Sequence, residues 1–239
     1  MLNLSKVAKE LSDSCDQLSK ELGEPVAWVY NPLDYAWEVH NNYLSKYGNL
    51  GAKTILLGMN PGPWGMGQTG VPFGDVTKAT DYLGLSGKVG TPENLHPKRP
   101  VIGLECERNE VSGTRLWGII EDMFGSAENA HQQFFVVNHC PLLMFDANGT
   151  NLTPDKLRGE SAKKLLSLCD EHLRKVVEIL GAERVIGVGA YAEKQAKKAL
   201  AGCDVEINRI PHPSPASPLA NRNKGADWRA AVRKILGKS

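Results

Sequence analysis

Three segments of this chain carry side chains whose types and settings suit chemistry on a flat, polar ligand. The first is GMNPGPWGMGQTGVPFGD, from Gly58 to Asp75, entered from the apolar run Thr54-Ile55-Leu56-Leu57. Its six glycines and three prolines hold the backbone in tight, partly left-handed turns, which lets main-chain groups approach a ligand closely. Asn60 and Phe73 are the side chains placed to meet that ligand. The second segment is His212-Pro213-Ser214-Pro215-Ala216-Ser217-Pro218, which follows a strand-like run from Val205 to Ile210. Prolines at alternate positions suppress helix and stiffen the ledge that carries His212. The third is Asn138, at the end of the apolar run from Phe134, with an amide that both donates and accepts.

Taken one at a time, these residues also have plain structural readings. Asn60 can cap the turn before Pro61, and Phe73 in an apolar loop can be core. A histidine before proline is commonly a turn residue, and Asn138 can bond the backbone at a strand end. Asp75 is the carboxylate nearest to Asn60 in sequence, but its position favours capping the helix that follows. Strand alternation turns His139 to the face opposite Asn138, which makes it structural.

The elements that must position these residues follow from periodicity. Leu4, Val7, Leu11, Cys15, Leu18 and Leu22 recur at three- and four-residue spacing, predicting an amphipathic helix over roughly 3–22. A second helix is expected from Leu33 to Tyr47, a short one after Asp75, and another from about Ser112 to Phe124. Thr153-Pro154-Asp155 marks the start of a long helix reaching Leu180, stopped by Gly181. Further helices are read over Ala190 to Leu200 and about Ala226 to Leu236, and residues 85–112 as largely irregular. Strands are expected at Lys53–Met59, Phe134–Asn138, Arg184–Val188 and Val205–Ile210. Strands alternating with helices imply a three-layer α/β/α fold around a mostly parallel four-stranded sheet. The whole chain, residues 1–239, is read as one domain, with its site above the strands' carboxyl ends, where open α/β sheets place ligands.

Composition narrows the classes further. At 41% hydrophobic residues the chain reads as globular, and no apolar run approaches the roughly 20 residues of a membrane span. The expectation is a cytoplasmic protein, nuclear if the source is eukaryotic, with no membrane partner. Five scattered cysteines without a CxxC pair point to reduced thiols rather than a zinc or iron–sulfur site. The net charge of +1 hides an asymmetry: Arg184 to Ser239 holds eleven Lys/Arg against four Asp/Glu, or +7, leaving −6 for the rest. A basic final quarter that contains the His212 ledge fits a phosphate-backbone footprint or a solvated helix face.

The loop and the ledge together resemble the two signature motifs of the single-strand-selective monofunctional uracil-DNA glycosylases. HPKRPVIGLECERNEVSGTRLWG from His96, NHCPLL from Asn138 and NLTP from Asn151 are similar to that family as well. The resemblance covers roughly Trp37 to the C-terminus, and no family motif is found in the first thirty residues. It implies an enzyme of base-excision repair that flips uracil out of DNA and hydrolyses its N-glycosidic bond, without a metal or other cofactor. It implies single- and double-stranded DNA containing uracil or a 5-modified uracil as partner, and a monomer is expected.

The same resemblance gives each residue a role. Asn60 would position the attacking water, and His212 would donate to uracil O2 as charge collects there. Asn138 would read the base edge and Phe73 would stack on it. Met59 and Gly62 would line the pocket, with Gly62 leaving space beside C5 for 5-hydroxymethyluracil. Ser214, Pro215, Ala216, Arg222 and Lys224 would contact the DNA. The chain departs from the family at Ala216, where an arginine follows HPSP in animal members and wedges into the base stack; Arg222 and Lys224 are the nearby basic residues.

Two other classes remain as alternatives. A nucleotide hydrolase would use the glycine-rich loop for phosphates, but there is no GxxxxGK[ST] run and no closely spaced acidic cluster. A non-catalytic nucleic-acid-binding module would bind DNA without turnover. A serine hydrolase built on Ser214 is excluded by its flanking prolines and the lack of a GxSxG elbow.

Overall fold

The computed structural model describes residues 3–237. In chain order its strands are β1 (Trp28–Tyr30), β2 (Thr54–Gly58), β3 (Phe134–Asn138), β4 (Leu143–Phe145), β5 (Asn151–Leu152), β6 (Arg184–Val188) and β7 (Glu206–Ile210). β2 and β3 are buried at every position, the unbroken apolar pattern of parallel strands covered on both faces. The main sheet has the order β3-β2-β6-β7 with every neighbouring pair parallel. The expected α/β fold with a four-stranded central sheet is therefore present.

The order of the strands explains where a site can form. From β2 the chain moves outward to β3, then returns past β2 to β6 and on to β7. With right-handed crossovers, the helix Val111–Phe124 covers one face of the sheet and the helices Gly159–Leu180 and Ala190–Ala199 cover the other. The direction of travel reverses between β2 and β6, which opens a crevice at their carboxyl ends. Below it, Ile55, Leu57, Phe135, Val136, Val185 and Ile186 pack with Leu116 and Ile120 from one layer and Leu173, Val177, Ala192 and Ala196 from the other.

Several boundaries differ from expectation for physical reasons. The N-terminal helix is Leu4–Ser19, opened by the Asn3 side chain accepting the Lys6 N–H at 2.9 Å. Its Leu4 and Ala8 join the main core, and Leu11 and Cys15 join a second cluster with Cys140, Met144 and Cys169. The second helix breaks at Ala36 into Pro32–Tyr35 and Trp37–Tyr47. After Asp75 the chain forms a π-helical turn, Lys78–Tyr82. Thr153 does not start the long helix: Pro154–Lys156 is a single 3-10 turn, Leu157 and Arg158 are extended, and the helix runs Gly159–Leu180.

A second sheet, antiparallel in the order β1-β4-β5, was not anticipated. Strands of two and three residues are too short to show a period of two. This small sheet carries Asn151, and with it Thr153, to the crevice. Among the described residues no helix is long and apolar enough to cross a membrane, and Cys15, Cys106, Cys140 and Cys169 are free and buried while Cys203 is exposed.

Candidate active site

Gly58, the last residue of β2, lies opposite Asn138, the last residue of β3. A Cβ at Gly58 would collide with Asn138 Oδ1 and the Phe73 ring, so glycine at this position is what lets the Asn138 amide and the Phe73 ring meet. The chain then turns through Met59 and Asn60 into a cavity of about 260 Å³, near the lower end of small-molecule sites.

That cavity brings together Met59, Asn60, Gly62, Phe73, Asn138, His212 and Ser214 from segments up to 155 residues apart. Pro215, Ala216, Arg222 and Lys224 do not line it; all four are exposed on the neighbouring surface. Asp75 also stays out. It is buried, its Oδ2 accepts the Glu110 N–H at 2.9 Å and its Oδ1 faces the Lys78 N–H at 3.4 Å, which is the capping role. His139 is buried on the far side of the strand end, its Nε2 2.8 Å from Asp170 Oδ1 and its Nδ1 3.1 Å from the Tyr191 hydroxyl.

The polar atoms of the cavity are pre-set. Asn138 Nδ2 donates to Met66 Sδ at 3.2 Å, and Asn138 Oδ1 is buried with no protein partner. A buried amide oxygen without a donor costs about 1–3 kcal/mol, so it is poised for a donor brought by a ligand. The Asn60 amide has one weak contact, Nδ2 to the Pro61 carbonyl at 3.4 Å, and is otherwise free to hold a water.

His212 is fixed in one tautomer. The Ser214 backbone N–H donates to His212 Nδ1 at 3.1 Å, so Nδ1 is an acceptor and the ring proton sits on Nε2. Burial holds the ring's pKa below the ordinary histidine value, and it is neutral at pH 7. The ring packs 3.3 Å from the space a Cβ would take at Gly189, whose φ of +94° requires glycine. Its centroid stands 6.3 Å from that of Phe73. Phe73 is itself held at φ +53°, an uncommon conformation for a bulky residue, costing about 1–3 kcal/mol. The Thr69 hydroxyl donating to the Gly74 carbonyl at 3.0 Å helps to hold that turn.

The ledge is rigid because its carbonyls are pinned one after another. Trp228 Nε1 donates to Pro211 O at 2.7 Å, Arg115 Nη1 to Pro213 O at 2.8 Å, and Asn221 Nδ2 to Pro215 O at 2.5 Å. Arg115 lies on the helix that also abuts Phe73, so the two walls of the site are tied together. The basic final quarter is partly neutralised: Arg209 pairs with Glu193, Lys198 with Asp170, Arg222 with Asp227 and Arg233 with Asp122. Lys224, at φ +53° beside Asn223 at +48°, projects from the exposed turn after the ledge.

Glu110, Ser112, Asn151 and Thr153 also line the cavity and were assigned no role from sequence. They lie in the NEVSG and NLTP runs that matched the family, which was the available signal. Burial pushes the Glu110 carboxyl's pKa up, the Trp64 and Ser112 backbone N–H groups draw it down, and the charge of Asp75 pushes it up again.

Comparison with known proteins identifies the chain's relatives. A model of the uracil DNA glycosylase superfamily matches residues 45–236. The single-strand selective monofunctional uracil DNA glycosylase of Mus musculus is 46% identical over 230 residues, covering 95% of this chain and 81% of that protein. The corresponding protein of Bos taurus is 45% identical over 228 residues, covering 95% and 82%. Both matches reach back before Trp37, where no motif was legible. The crystal structure of Pedobacter heparinus SMUG2 superposes with a TM-score of 0.62 at 21% identity, covering 95% of this chain and 96% of that one, a likeness of fold. By the family match and by these identities over nearly its whole length, the chain belongs to the uracil DNA glycosylase superfamily.

Proposed function

We propose that this chain is a monofunctional uracil-DNA glycosylase of base-excision repair. The observation that carries the reading is the convergence in one cavity of a free amide on Asn60, a neutral Nε2–H donor on His212, a buried unpartnered oxygen on Asn138 and the Phe73 ring. The reaction breaks the bond between C1′ and uracil N1, with the electron pair leaving on the base while the sugar gains oxocarbenium character. His212 Nε2–H donates to uracil O2 as that charge develops. Asn60 holds the water that adds to C1′; an amide is a poor base, so the water's proton leaves late. Phe73 stacks on the base, a contact worth about 1–3 kcal/mol. Among the described residues the cavity lining contains no lysine, so no amine stands ready to attack the sugar, and an abasic site is the product. Free uracil in the small-molecule fraction after incubation with uracil-containing DNA is the expected result. Deoxyuridine or its phosphate would instead identify a nuclease or nucleotide hydrolase.

Asn138 supplies selectivity. Its Oδ1 accepts from uracil N3–H and its Nδ2 donates to O4, whereas cytosine presents the opposite pattern at both positions. Each mismatched buried group costs about 1–3 kcal/mol. Asn138→Asp should weaken uracil excision and narrow the preference for uracil over cytosine; an unchanged ratio of the two rates would remove Asn138 from base reading. The substrate range includes 5-hydroxymethyluracil: the Ser112 and Thr153 hydroxyls in the same cavity can bond a hydroxymethyl group, and thymine's methyl satisfies neither. Turnover of the two bases opposite the same partner tests this.

At the tip of the ledge, Ala216 is exposed and too small to fill the space a flipped base leaves in a duplex. Single-stranded or spontaneously opened sites are therefore the preferred substrate, with Lys224 and the ledge on the phosphates. Ala216→Arg should raise excision from duplex DNA several-fold, by about 1 kcal/mol or more of added stacking, and leave the single-stranded rate unchanged. Equal effects on both substrates would contradict this. One chain supplies every residue of the site, so the enzyme acts as a monomer, in whichever compartment holds DNA, cytoplasm or nucleus.

A further inference from the structure

Among the described residues Glu110 is the one carboxylate that lines the cavity, and the reaction as derived does not use it. Its surroundings differ from those of a solvated acid. Oε2 occupies the space that a Cβ at Gly62 would need, and Cγ lies 2.7 Å from the position of a Cβ at Gly65. Burial pushes the carboxyl's pKa up while the nearby backbone N–H groups of Trp64 and Ser112 draw it down, and among the described residues no Lys, Arg or His forms an ion pair with it. Its own backbone N–H donates to Asp75 Oδ2 at 2.9 Å, and the Asp75 N–H bonds to the Phe73 carbonyl at 2.8 Å.

A continuous chain of contacts thus runs from Gly62 and Gly65, through the Glu110 side chain, along its backbone to Asp75, and on to Phe73. Glu110 thus links the two ends of the glycine-rich loop, which carry Asn60 and Phe73, beside the loop's own hydrogen bonds at Thr69 and Gln68. We propose that Glu110 is a positioning residue that clips the loop shut and sets Asn60 in register with Phe73 across the reacting nucleotide. The proposal rests on the glycosylase reading for what the register is used for, and on geometry alone for the clip.

Two glycines explain why the clip needs no other partner. A side chain at either position 62 or 65 would displace the carboxylate, so the loop's small residues and the acid form one packing unit. With no cation beside it, the half-buried side chain is held by its packing against Gly62 and Gly65, so the loop loses that contact when the acid is removed. Misplacing a reacting group by roughly 1 Å costs about 100-fold in rate, which sets the scale of the effect.

The test compares wild type, Glu110→Ala and Glu110→Gln in three measurements: single-turnover excision of uracil from a single-stranded oligonucleotide, affinity for that oligonucleotide, and hydrogen–deuterium exchange of peptides spanning residues 58–75. For Glu110→Ala we expect about a 100-fold loss in rate, unchanged affinity, and faster exchange confined to the loop. Glu110→Gln keeps an acceptor oxygen of the same reach and should recover most of the rate and the protection. Equal losses in the two variants with loop exchange unchanged would mean that the charge itself acts, and would overturn the clip. Unchanged exchange in Glu110→Ala overturns it whatever the rate. If wild type excises no uracil, the glycosylase reading fails, while the exchange measurement still decides the clip.

Discussion

Replacing Asn60 with alanine is expected to reduce the single-turnover rate of uracil excision by about 100- to 1000-fold while leaving affinity for uracil-containing DNA unchanged. The magnitude follows from losing a group that orients a reactant or stabilises charge in the transition state. The split follows from position. Asn60 lines the cavity beyond β2 with a single weak contact of 3.4 Å to its own loop, so its removal breaks no structural bond of consequence. On the proposed reading DNA affinity rests on the ledge and on Phe73, which the change does not touch. Rate and affinity falling together would place Asn60 in ground-state binding. A near-normal rate would remove it from the mechanism and leave the water to another cavity residue.

His212→Ala should have an effect of similar size, about 100- to 1000-fold on rate, because it removes a preorganised donor from the point where negative charge develops. The Ser214 N–H fixes the proton on Nε2, and burial lowers the ring's pKa, so the ring donates as a neutral imidazole. The sign of the pH dependence follows. A depressed value keeps the neutral form down to lower pH, so the wild-type rate should be flat above the ordinary histidine value of about 6.5 and should fall only below it. Protonation puts a hydrogen on Nδ1 and sets it against the Ser214 N–H, which turns the ring. A rate that rises on acidification would mean that the charged ring is the active form. In His212→Ala the acid limb due to this ring should vanish.

These two residues stood out in the sequence as candidates because strong local signals surround them, while the roles given to them came from the family resemblance. An apolar strand followed by a glycine- and proline-rich loop is visible without any tertiary knowledge, and so is a histidine before alternating prolines. The parallel sheet was legible for a similar reason: β2, β3 and β6 are short, mostly apolar runs, β7 sets Ile207 and Ile210 among polar residues, and helical periodicity lies between them. What escaped depends on contacts between distant segments. Glu110 sits in ERNE, a strongly polar run; the close approach of Gly62 and Gly65 is what draws its side chain, half-buried, into the cavity wall. Arg115 lies in a helix face 98 residues from the carbonyl it pins at Pro213, a pairing that no spacing encodes. The Thr153-Pro154-Asp155 signal is a genuine helix-start chemistry, yet it supports one 3-10 turn because Leu157 and Arg158 must stay extended to reach Gly159. The β1-β4-β5 sheet, which brings Asn151 to the cavity, has strands too short for pattern to reveal.

The substitution at position 216 connects structure to substrate preference. The ledge is held at Pro211, Pro213 and Pro215, so its tip cannot relax to bring another side chain into the stack. Arg222, the next arginine along the chain, is paired with Asp227 at 3.0 Å, and Arg115 is held on the Pro213 carbonyl. The chain therefore has the pocket for a flipped base and lacks a large residue fixed where the wedge would be, which suits DNA that is already open.

The most direct test of the central claim uses a labelled single-stranded oligonucleotide with one uracil, incubated with the protein in EDTA and then treated with hot alkali, beside matched strands carrying thymine or cytosine. A break at uracil alone, and only after alkali, is the predicted result: base loss by a monofunctional glycosylase whose residues need no metal. An intact uracil strand that the protein still binds would contradict it, and would make the cavity a recognition site without the chemistry.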